Sequence, residues 1–287
     1  MKTYIFIYLL ILSQIAFAQD DLLAELQSQE EPSETLATAT FKGTRIINGH
    51  SVEIRNPGTL EFMISHRFGT LNSGSYNLWG LDVSNIRLAL EYAPIKNLMI
   101  GAGRNSFQKT YDGYVKYKLL AQQSGKKNIP ISVVWLSSMA IKTQKRTDNY
   151  TAFRDKLAFT HQLLIARKIN SSLSLQLSPT LIKYQLIELK ETRGVVVALG
   201  IGGRYKLNQR LTINAEYFPQ LISKGSQYFN AIAIGVDIET GGHVFQLQLT
   251  NATSMIEKGF IGENTNNFFN GGIHFGFNIS RAFQLKH

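Results

Sequence analysis

The segment Asn85-Ile86-Arg87-Leu88-Ala89-Leu90-Glu91-Tyr92 alternates apolar side chains with polar or small ones along its whole length. Successive side chains of a β-strand point to opposite faces, so this period of two indicates a strand with one apolar and one polar face. The same alternation is present in residues 211–217, 231–238 and 243–251. From this pattern we predict an all-β protein.

Extending the pattern in both directions predicts about twelve strands. We place them near residues 59–68, 84–93, 97–105, 109–119, 130–141, 157–167, 172–182, 194–205, 211–219, 229–238, 243–251 and 271–281. Their lengths suit tilted strands that cross a bilayer, which need about 9–11 residues. Short turns alternate with long loops, as in outer-membrane barrels, except at 105–108 and 120–129. The expected fold is a single closed antiparallel up-and-down transmembrane β-barrel.

A soluble β-sandwich or a lipocalin-like barrel would show the same alternation with its apolar face turned inward. Three features favour the membrane barrel: the number of long strands, a secretory leader without disulfide-forming cysteines, and aromatic residues at strand ends. These aromatic residues are Phe62, Phe68, Tyr92, Tyr205, Tyr217, Phe218, Phe229, Phe275, Phe277 and Phe283. The segment 270–277 also matches the polar-x-Gly-x-x-aromatic-x-aromatic element read by the barrel insertion machinery, which is therefore an expected partner during assembly.

The N-terminal region differs from the alternating segments. A short basic start, an apolar core at 4–15 and Ala16-Phe17-Ala18 fit a secretory signal peptide at residues 1–18, and the core is short for a transmembrane anchor. Residues 19–40 contain no base and the acids Asp20, Asp21, Glu25, Glu30, Glu31 and Glu34. We therefore expect a signal peptide (1–18), an acidic periplasmic segment (19–57) and the barrel (58–287).

The chain has a net charge of +10 and no cysteine. Because residues 1–40 contain one base and six acids, residues 41–287 carry +15. In a surface-exposed envelope protein, such charge suits anionic lipid headgroups or anionic solutes better than nucleic acid, which is not expected as a partner. The lack of cysteine excludes disulfides, thiol chemistry and a lipid anchor after the signal.

Charged residues on the inward-facing side of the predicted strands are candidate lumen-lining residues. By alternation they are Glu61, Arg87, Glu91, Asp112, Lys116, Lys118, Arg204, Glu216 and Asp237. Buried charges need partners, so these residues form either a salt-bridge network that fills a narrow lumen or the selectivity lining of a pore for a polar solute. Their near balance of acids and bases argues against a strongly anion-selective lumen.

A basic cluster lies in or beside the predicted loop at 142–156. It consists of Lys142, Lys145, Arg146, Arg154 and Lys156. Such residues can pair with the phosphates of an outer-leaflet glycolipid, and outer-membrane lipid is an expected partner. An ordinary solvated loop is the alternative interpretation.

No catalytic, metal or cofactor site is expected. The six histidines form neither an HxH nor an HExxH arrangement, so no metal site is indicated. His161 lies on the outward-facing side, between Phe159 and Leu163. A barrel phospholipase would need a Ser–His pair at such a place, but an interfacial histidine explains the position better. We therefore predict that the protein is not an enzyme.

Three stretches resemble an uncharacterised family of outer-membrane β-barrel proteins of Gram-negative bacteria, a domain of unknown function. They are residues 39–53 (ATFKGTRIINGHSVE), 65–69 (SHRFG) and 91–94 (EYAP). The resemblance covers roughly residues 39–283. It implies an envelope location and a barrel fold, and it supplies no catalytic residues.

The predicted function is an integral outer-membrane barrel that passes or binds small polar solutes. The alternative is a non-conducting structural or partner-binding barrel, whose acidic N-terminal segment engages a periplasmic protein. A barrel hydrolase is poorly supported. An even strand count and short turns on the terminal side predict that both termini are periplasmic. The acidic segment is expected either at the periplasmic mouth of the barrel or as a solvated linker.

Overall fold

The computed structural model describes residues 34–145, 152–185, 194–222, 225 and 227–285. The predicted signal peptide, the acidic residues between 20 and 31, and Arg146 lie outside the described residues. None of the helical turns in these ranges is long and apolar enough to cross a membrane.

Twelve long strands form one closed antiparallel sheet. They are β1 Thr59–Thr70, β2 Ser84–Ile95, β3 Leu98–Asn105, β4 Thr110–Leu120, β5 Ser132–Lys142, β6 Leu157–Lys168, β7 Leu173–Tyr184, β8 Val195–Lys206, β9 Leu211–Phe218, β10 Ala231–Thr240, β11 His243–Thr250 and β12 His274–Gln284. Each pairs with the next along the chain. Strand β12 pairs with β1, which places Gln284 opposite Thr59 and closes the sheet. The predicted closed twelve-stranded barrel is confirmed.

The remaining elements are short. Thr35–Leu36 pairs with Gln123–Ser124, and Gln220–Ile222 pairs with β8 beyond the end of β9. Helical turns are found at Leu71–Ser73, Ser75–Gly80, Phe107–Lys109, Phe153–Lys156, Lys258–Gly262 and Phe268–Asn270.

The two faces of the sheet have the chemistry of a membrane barrel. In β2, Leu88 and Leu90 are 45% and 52% exposed, whereas Arg87 and Glu91 are each 1% exposed. A soluble barrel would show the opposite arrangement, because its apolar side chains would fill the interior. The apolar face of this sheet therefore meets lipid and the polar face lines the lumen.

The two ends of the barrel differ in their connections. The turns at 169–172, 207–210 and 241–242 lie at the end where β1 begins and β12 finishes, which we call the short-turn end. The connections 71–83 and 251–273 lie at the opposite end, the long-loop end. Both ends of the barrel domain are therefore on the side of the short turns.

The two connections that depart from the predicted alternation do not mark misplaced strands. Residues 106–109 form a compact helical turn at the long-loop end. Residues 121–131 lie at the short-turn end, where Gln123–Ser124 pairs with the chain that precedes the barrel. The sheet continues in antiparallel pairing across both places.

Residues 40–55 lie inside the barrel, and we call them the plug. Thr44, Ile47 and Val52 are at most 2% exposed, and the apolar plug side chains pack against wall residues that include Val134 and Leu164. The sequence suggested a periplasmic location for 19–57, but the structure places its last part in the lumen. The polar wall supplies hydrogen-bonding partners for the plug backbone, and burial of that backbone requires them.

A second segment enters the barrel from the long-loop end. Residues 251–264, which we call the inward loop, fold back between β11 and β12 and bury Ala252, Ile256 and Phe260 to 2% exposure or less. The ring of Phe260 packs edge-on against that of Phe218, with 5.0 Å between centroids. The lumen therefore holds chain from both ends of the barrel.

Candidate functional site: a plugged lumen

The plug turns back on itself inside the lumen. The Ile46 amide donates to the Gly49 carbonyl over 2.8 Å, the Ser51 amide donates to the Thr44 carbonyl over 3.0 Å, and Arg45 pairs with His50 as an antiparallel bridge. The turn is tight, and its backbone amides at the tip point towards the barrel wall. The plug thus presents a row of donors to whatever acceptor the wall provides.

Glu216 of β9 provides that acceptor. Its carboxylate accepts from the amides of Ile47 at 3.3 Å, Asn48 at 2.8 Å and Gly49 at 3.1 Å. Consecutive backbone N–H groups that converge in this way form an anion-binding concavity. A Cβ at position 49 would lie 2.7 Å from Cζ of Phe218, so any side chain there would push the ring or the plug aside. Glu216 and Gly49 together fix the tip of the plug against the wall.

Three other predicted lumen residues, Glu61, Glu91 and Lys116, also contact the plug directly. Glu91 accepts from the Thr44 hydroxyl at 2.7 Å, and the Lys116 ammonium donates to the Glu53 carbonyl at 2.9 Å. Glu61 accepts from the Arg55 guanidinium, and Arg204 donates to the carbonyl of Ala39, the residue before the plug. Asp237 reaches the plug only through the wall residue Gln246, which also donates to the Ile46 carbonyl. Together with Glu216, these residues bind the plug or the chain beside it rather than border an open channel.

Arg87 and Asp112 pair with each other across the wall. Their two hydrogen bonds measure 3.0 Å and 2.5 Å, and both residues are at least nine-tenths buried. Lys118, the ninth predicted lumen residue, is half-buried near the short-turn end of β4. Eight of the nine candidates thus lie in the interior, and Lys118 lies at its margin.

The plug meets the inward loop at Glu257. Nη1 of Arg45 lies 3.1 Å and Nε2 of His50 lies 3.2 Å from Oε1 of Glu257. Burial, together with the Arg45 guanidinium, lowers the pKa of His50 to about 3, so its imidazole is neutral at physiological pH. Burial alone would raise the pKa of Glu257, but the adjacent His50 and Arg45 hold it below its usual value. The junction is therefore an Arg45–Glu257 ion pair with the His50 imidazole beside it.

Sequence reasoning missed Arg45, His50 and Glu257. They lie in segments that were placed outside the barrel, and neither segment shows strand alternation. One signal was present: Asn48-Gly49 is a turn dipeptide inside the stretch 39–53 that carried the family resemblance. Neutral wall residues that hold the plug backbone were also missed, namely Gln176, Gln246 and Asn278.

The predicted basic loop cluster lies at the long-loop end. Lys145, Arg154 and Lys156 are exposed and Lys142 is half-buried, while Arg146 is outside the described residues. Arg154 lies 3.6 Å from Asp155, which is a surface ion pair of small energetic value. The described members of the cluster therefore lie at the rim of the long-loop end of the barrel.

His161 faces outward in β6 and has a polar partner. Its Nδ1 lies 3.0 Å from Oγ of Ser137, the residue directly opposite in β5. The two polar side chains therefore lie close enough to hydrogen-bond with each other on an otherwise apolar surface. Within the described ranges, no group of three or more histidine and acidic side chains could hold a metal ion.

Several solved membrane proteins have a similar overall shape at low sequence identity. The KdgM porin shares 11% identity, covers 78% of this chain and 99% of its own, and gives a TM-score of 0.47. The NanC porin shares 9% over 79% of this chain and 100% of its own, also at 0.47. An outer-membrane channel from Pseudomonas putida F1 shares 13% over 80% and 97%, at 0.46. No curated protein is significantly similar to the chain.

A family model described as a membrane-bound β-barrel domain matches residues 41–283, which include the plug from its second residue and the twelve strands up to Phe283 of β12. This confirms the resemblance seen in the sequence. Closed antiparallel barrels with a lipid-facing apolar band are the form in which β-proteins span bacterial outer membranes. The chain therefore belongs to the family of membrane-bound β-barrel domains of unknown function (DUF5777) and is an integral outer-membrane β-barrel protein.

Proposed function

We propose that the protein is a gated pore for small polar solutes, closed by the plug and the inward loop in the state described above. In this proposal the barrel performs no chemical reaction. Solute passage requires the plug to leave its position at least in part, because plug residues such as Thr44, Ser51 and Val52 are at most 1% exposed. A continuous water-filled path along the plug would leave such side chains accessible.

One observation carries the proposal: exchangeable hydrogen bonds from the wall hold the plug backbone. Amide groups of Gln176, Gln246 and Asn278 donate to the carbonyls of His50, Ile46 and Ile47 at 2.7–3.0 Å. When the plug moves, water or a polar solute can form hydrogen bonds with the same wall amides in place of the plug carbonyls. The buried wall charges include both signs, which favours neutral or zwitterionic solutes over strongly charged ones.

A non-conducting structural barrel is the second candidate. It is favoured by the number of contacts that hold the plug, including the three amides on Glu216 and the junction at Glu257. In that case the plug would be a permanent core, and the acidic N-terminal segment would serve a periplasmic partner. Conductance separates the two candidates.

Planar-bilayer recordings should compare the native protein with Gly49→Ala and with Gly43→Ala as the matched control. A Cβ at residue 49 would lie 2.7 Å from Phe218 and 3.4 Å from Glu216, whereas one at residue 43 would be 3.8 Å from its nearest neighbour. Overpacking typically costs about 1–3 kcal/mol, and each 1.4 kcal/mol shifts an equilibrium about tenfold. We expect about ten-fold more frequent opening for Gly49→Ala alone. Silent bilayers for all three proteins would support the non-conducting barrel.

The proposal includes an orientation with both termini in the periplasm and the long loops outside. Cysteine replaces Tyr76, which is 94% exposed in the connection 71–83, or Asn208 in a short turn. A membrane-impermeant maleimide applied to intact cells should label Tyr76→Cys and leave Asn208→Cys unlabelled until the outer membrane is opened. Because the chain has no other cysteine, the signal is unambiguous. Labelling of Asn208→Cys alone would invert the orientation.

A further inference from the structure

A groove lies on the lipid-facing surface formed by the described residues of four neighbouring strands. It crosses β5 to β8, is open to the lipid side, has a volume of about 420 Å³, and is lined by apolar side chains that include Trp135, Leu163, Leu181 and Leu221. His161 also lines it. The volume lies within the range of small-molecule sites, about 300–1,000 Å³. A groove of this size on the outer surface is not a necessary consequence of the barrel fold.

Cations stand at the long-loop end of this groove. Lys183 is two residues beyond Leu181 on the same outward face of β7, and Phe159 of β6 lies opposite it. Lys156 immediately precedes β6, and the register Ile141–Leu157 brings Lys142 of β5 to the neighbouring position. Among the described residues at the outer ends of these strands, Asp155 is the one acid. An apolar groove with a basic end has the charge distribution that complements an anionic lipid.

His161 adds a polar group within the groove. Ser137 occupies its Nδ1, and no described residue forms a hydrogen bond with its Nε2. A polar group in hydrocarbon costs free energy unless it finds a partner. The ester, amide or hydroxyl groups of a lipid lie between the headgroup and the chains, so they can reach a ring placed below the cations. A lipid in the groove would supply the missing partner of His161 Nε2.

We propose that this groove binds one phosphorylated lipid of the outer leaflet. The phosphate lies on Lys183 and Lys156, one acyl chain lies along Leu181 and Leu163, and His161 contacts the polar start of that chain. Ammonium–phosphate contacts are charge-assisted, and they are strengthened where the apolar belt excludes water. Lipid binding on the outer wall does not depend on whether the lumen conducts.

Native mass spectrometry of the full barrel in a zwitterionic detergent tests the proposal. The probes are bisphosphorylated lipid A and the same lipid after removal of both phosphates. We expect the phosphorylated form to bind in a one-to-one complex, and Lys156→Ser/Lys183→Ser to weaken it about 30-fold through the loss of two charges. The matched control is Lys96→Ser/Lys127→Ser, which removes two exposed lysines from the short-turn end and should leave binding unchanged.

Two further arms identify the source of the phosphate and the role of the groove. Leu181→Trp fills the groove and should also weaken binding, while excess inorganic phosphate should displace little lipid. Equal binding of both lipid forms, or equal losses in the two lysine double variants, would overturn the proposal. So would full displacement by inorganic phosphate together with no effect of Leu181→Trp, because the site would then take free phosphate.

Discussion

Replacing Arg87 by leucine is expected to destabilise the barrel by about 3–5 kcal/mol. The guanidinium forms two hydrogen bonds with Asp112, and both groups are buried in the lumen wall. Removal of one partner leaves the other as an uncompensated buried charge, which costs far more than the pair contributes. Urea unfolding of the barrel in lipid vesicles, followed by fluorescence of Trp79 and Trp135, measures the change.

Two companion variants make this prediction specific. Arg87→Leu/Asp112→Leu should recover most of the loss, because replacing a buried ion pair as a whole by apolar residues is often neutral or stabilising. Arg154→Leu removes the same side chain from an exposed pair with Asp155 and should change the stability by about 0–1 kcal/mol. Additive losses in the double variant would show that the Arg87–Asp112 pair is not coupled.

The orientation of Arg87 was predictable, but its partner was not. Strict alternation in residues 85–92 fixes which side chains face inward once one face is known to meet lipid. The identity of Asp112 as the partner depends on the register between β2, β3 and β4, which the turn lengths specify only approximately. Local periodicity thus predicts which face of the sheet a residue lies on. Its contact partners can be identified only when the register of the neighbouring strands in the closed sheet is known.

The plug shows the same limit more strongly. Residues 40–55 have no alternation, and their burial depends on the acceptors and donors that twelve distant strands present to them. Glu216 could be recognised as inward-facing from Leu211-Thr-Ile-Asn-Ala-Glu-Tyr217, but its function as an acceptor for three plug amides depends on the turn at Asn48-Gly49. The alternation in the sequence therefore predicted the barrel wall and most of its inward-facing charged residues. The plug and the inward loop that fill the lumen were recognised only in the structure.

The plug and the inward loop also change the meaning of the charge pattern. A balanced set of inward charges suggested either a salt-bridge network or a selectivity lining. In the structure, Arg45 and Glu257 contribute a charge from each inserted segment, and wall charges such as Glu91 and Lys116 form hydrogen bonds with plug groups. Movement of the plug would expose these wall charges, so the closed and open lumens differ in their charged surface.

Leu247→Arg is expected to impair folding into bilayers by about 2–4 kcal/mol, the typical cost of arginine at the lipid-facing midplane of a barrel. Leu247 lies midway along β11, is 44% exposed, and has Val236 and Phe277 as its neighbours across the two adjacent strands. An arginine there must either lose its hydration or draw water into the apolar belt.

The same substitution at Leu285 is the matched control. Leu285 is 58% exposed and follows the last residue of β12 at the short-turn end, where arginine reaches water and costs about 0–1 kcal/mol. Folding yields and urea midpoints in phosphatidylcholine vesicles should therefore separate Leu247→Arg from Leu285→Arg. Equal effects of the two variants would mean that Leu247 does not face the hydrocarbon. The apolar face would then have to be covered by something other than lipid, and the membrane assignment of the barrel wall would fail at that strand.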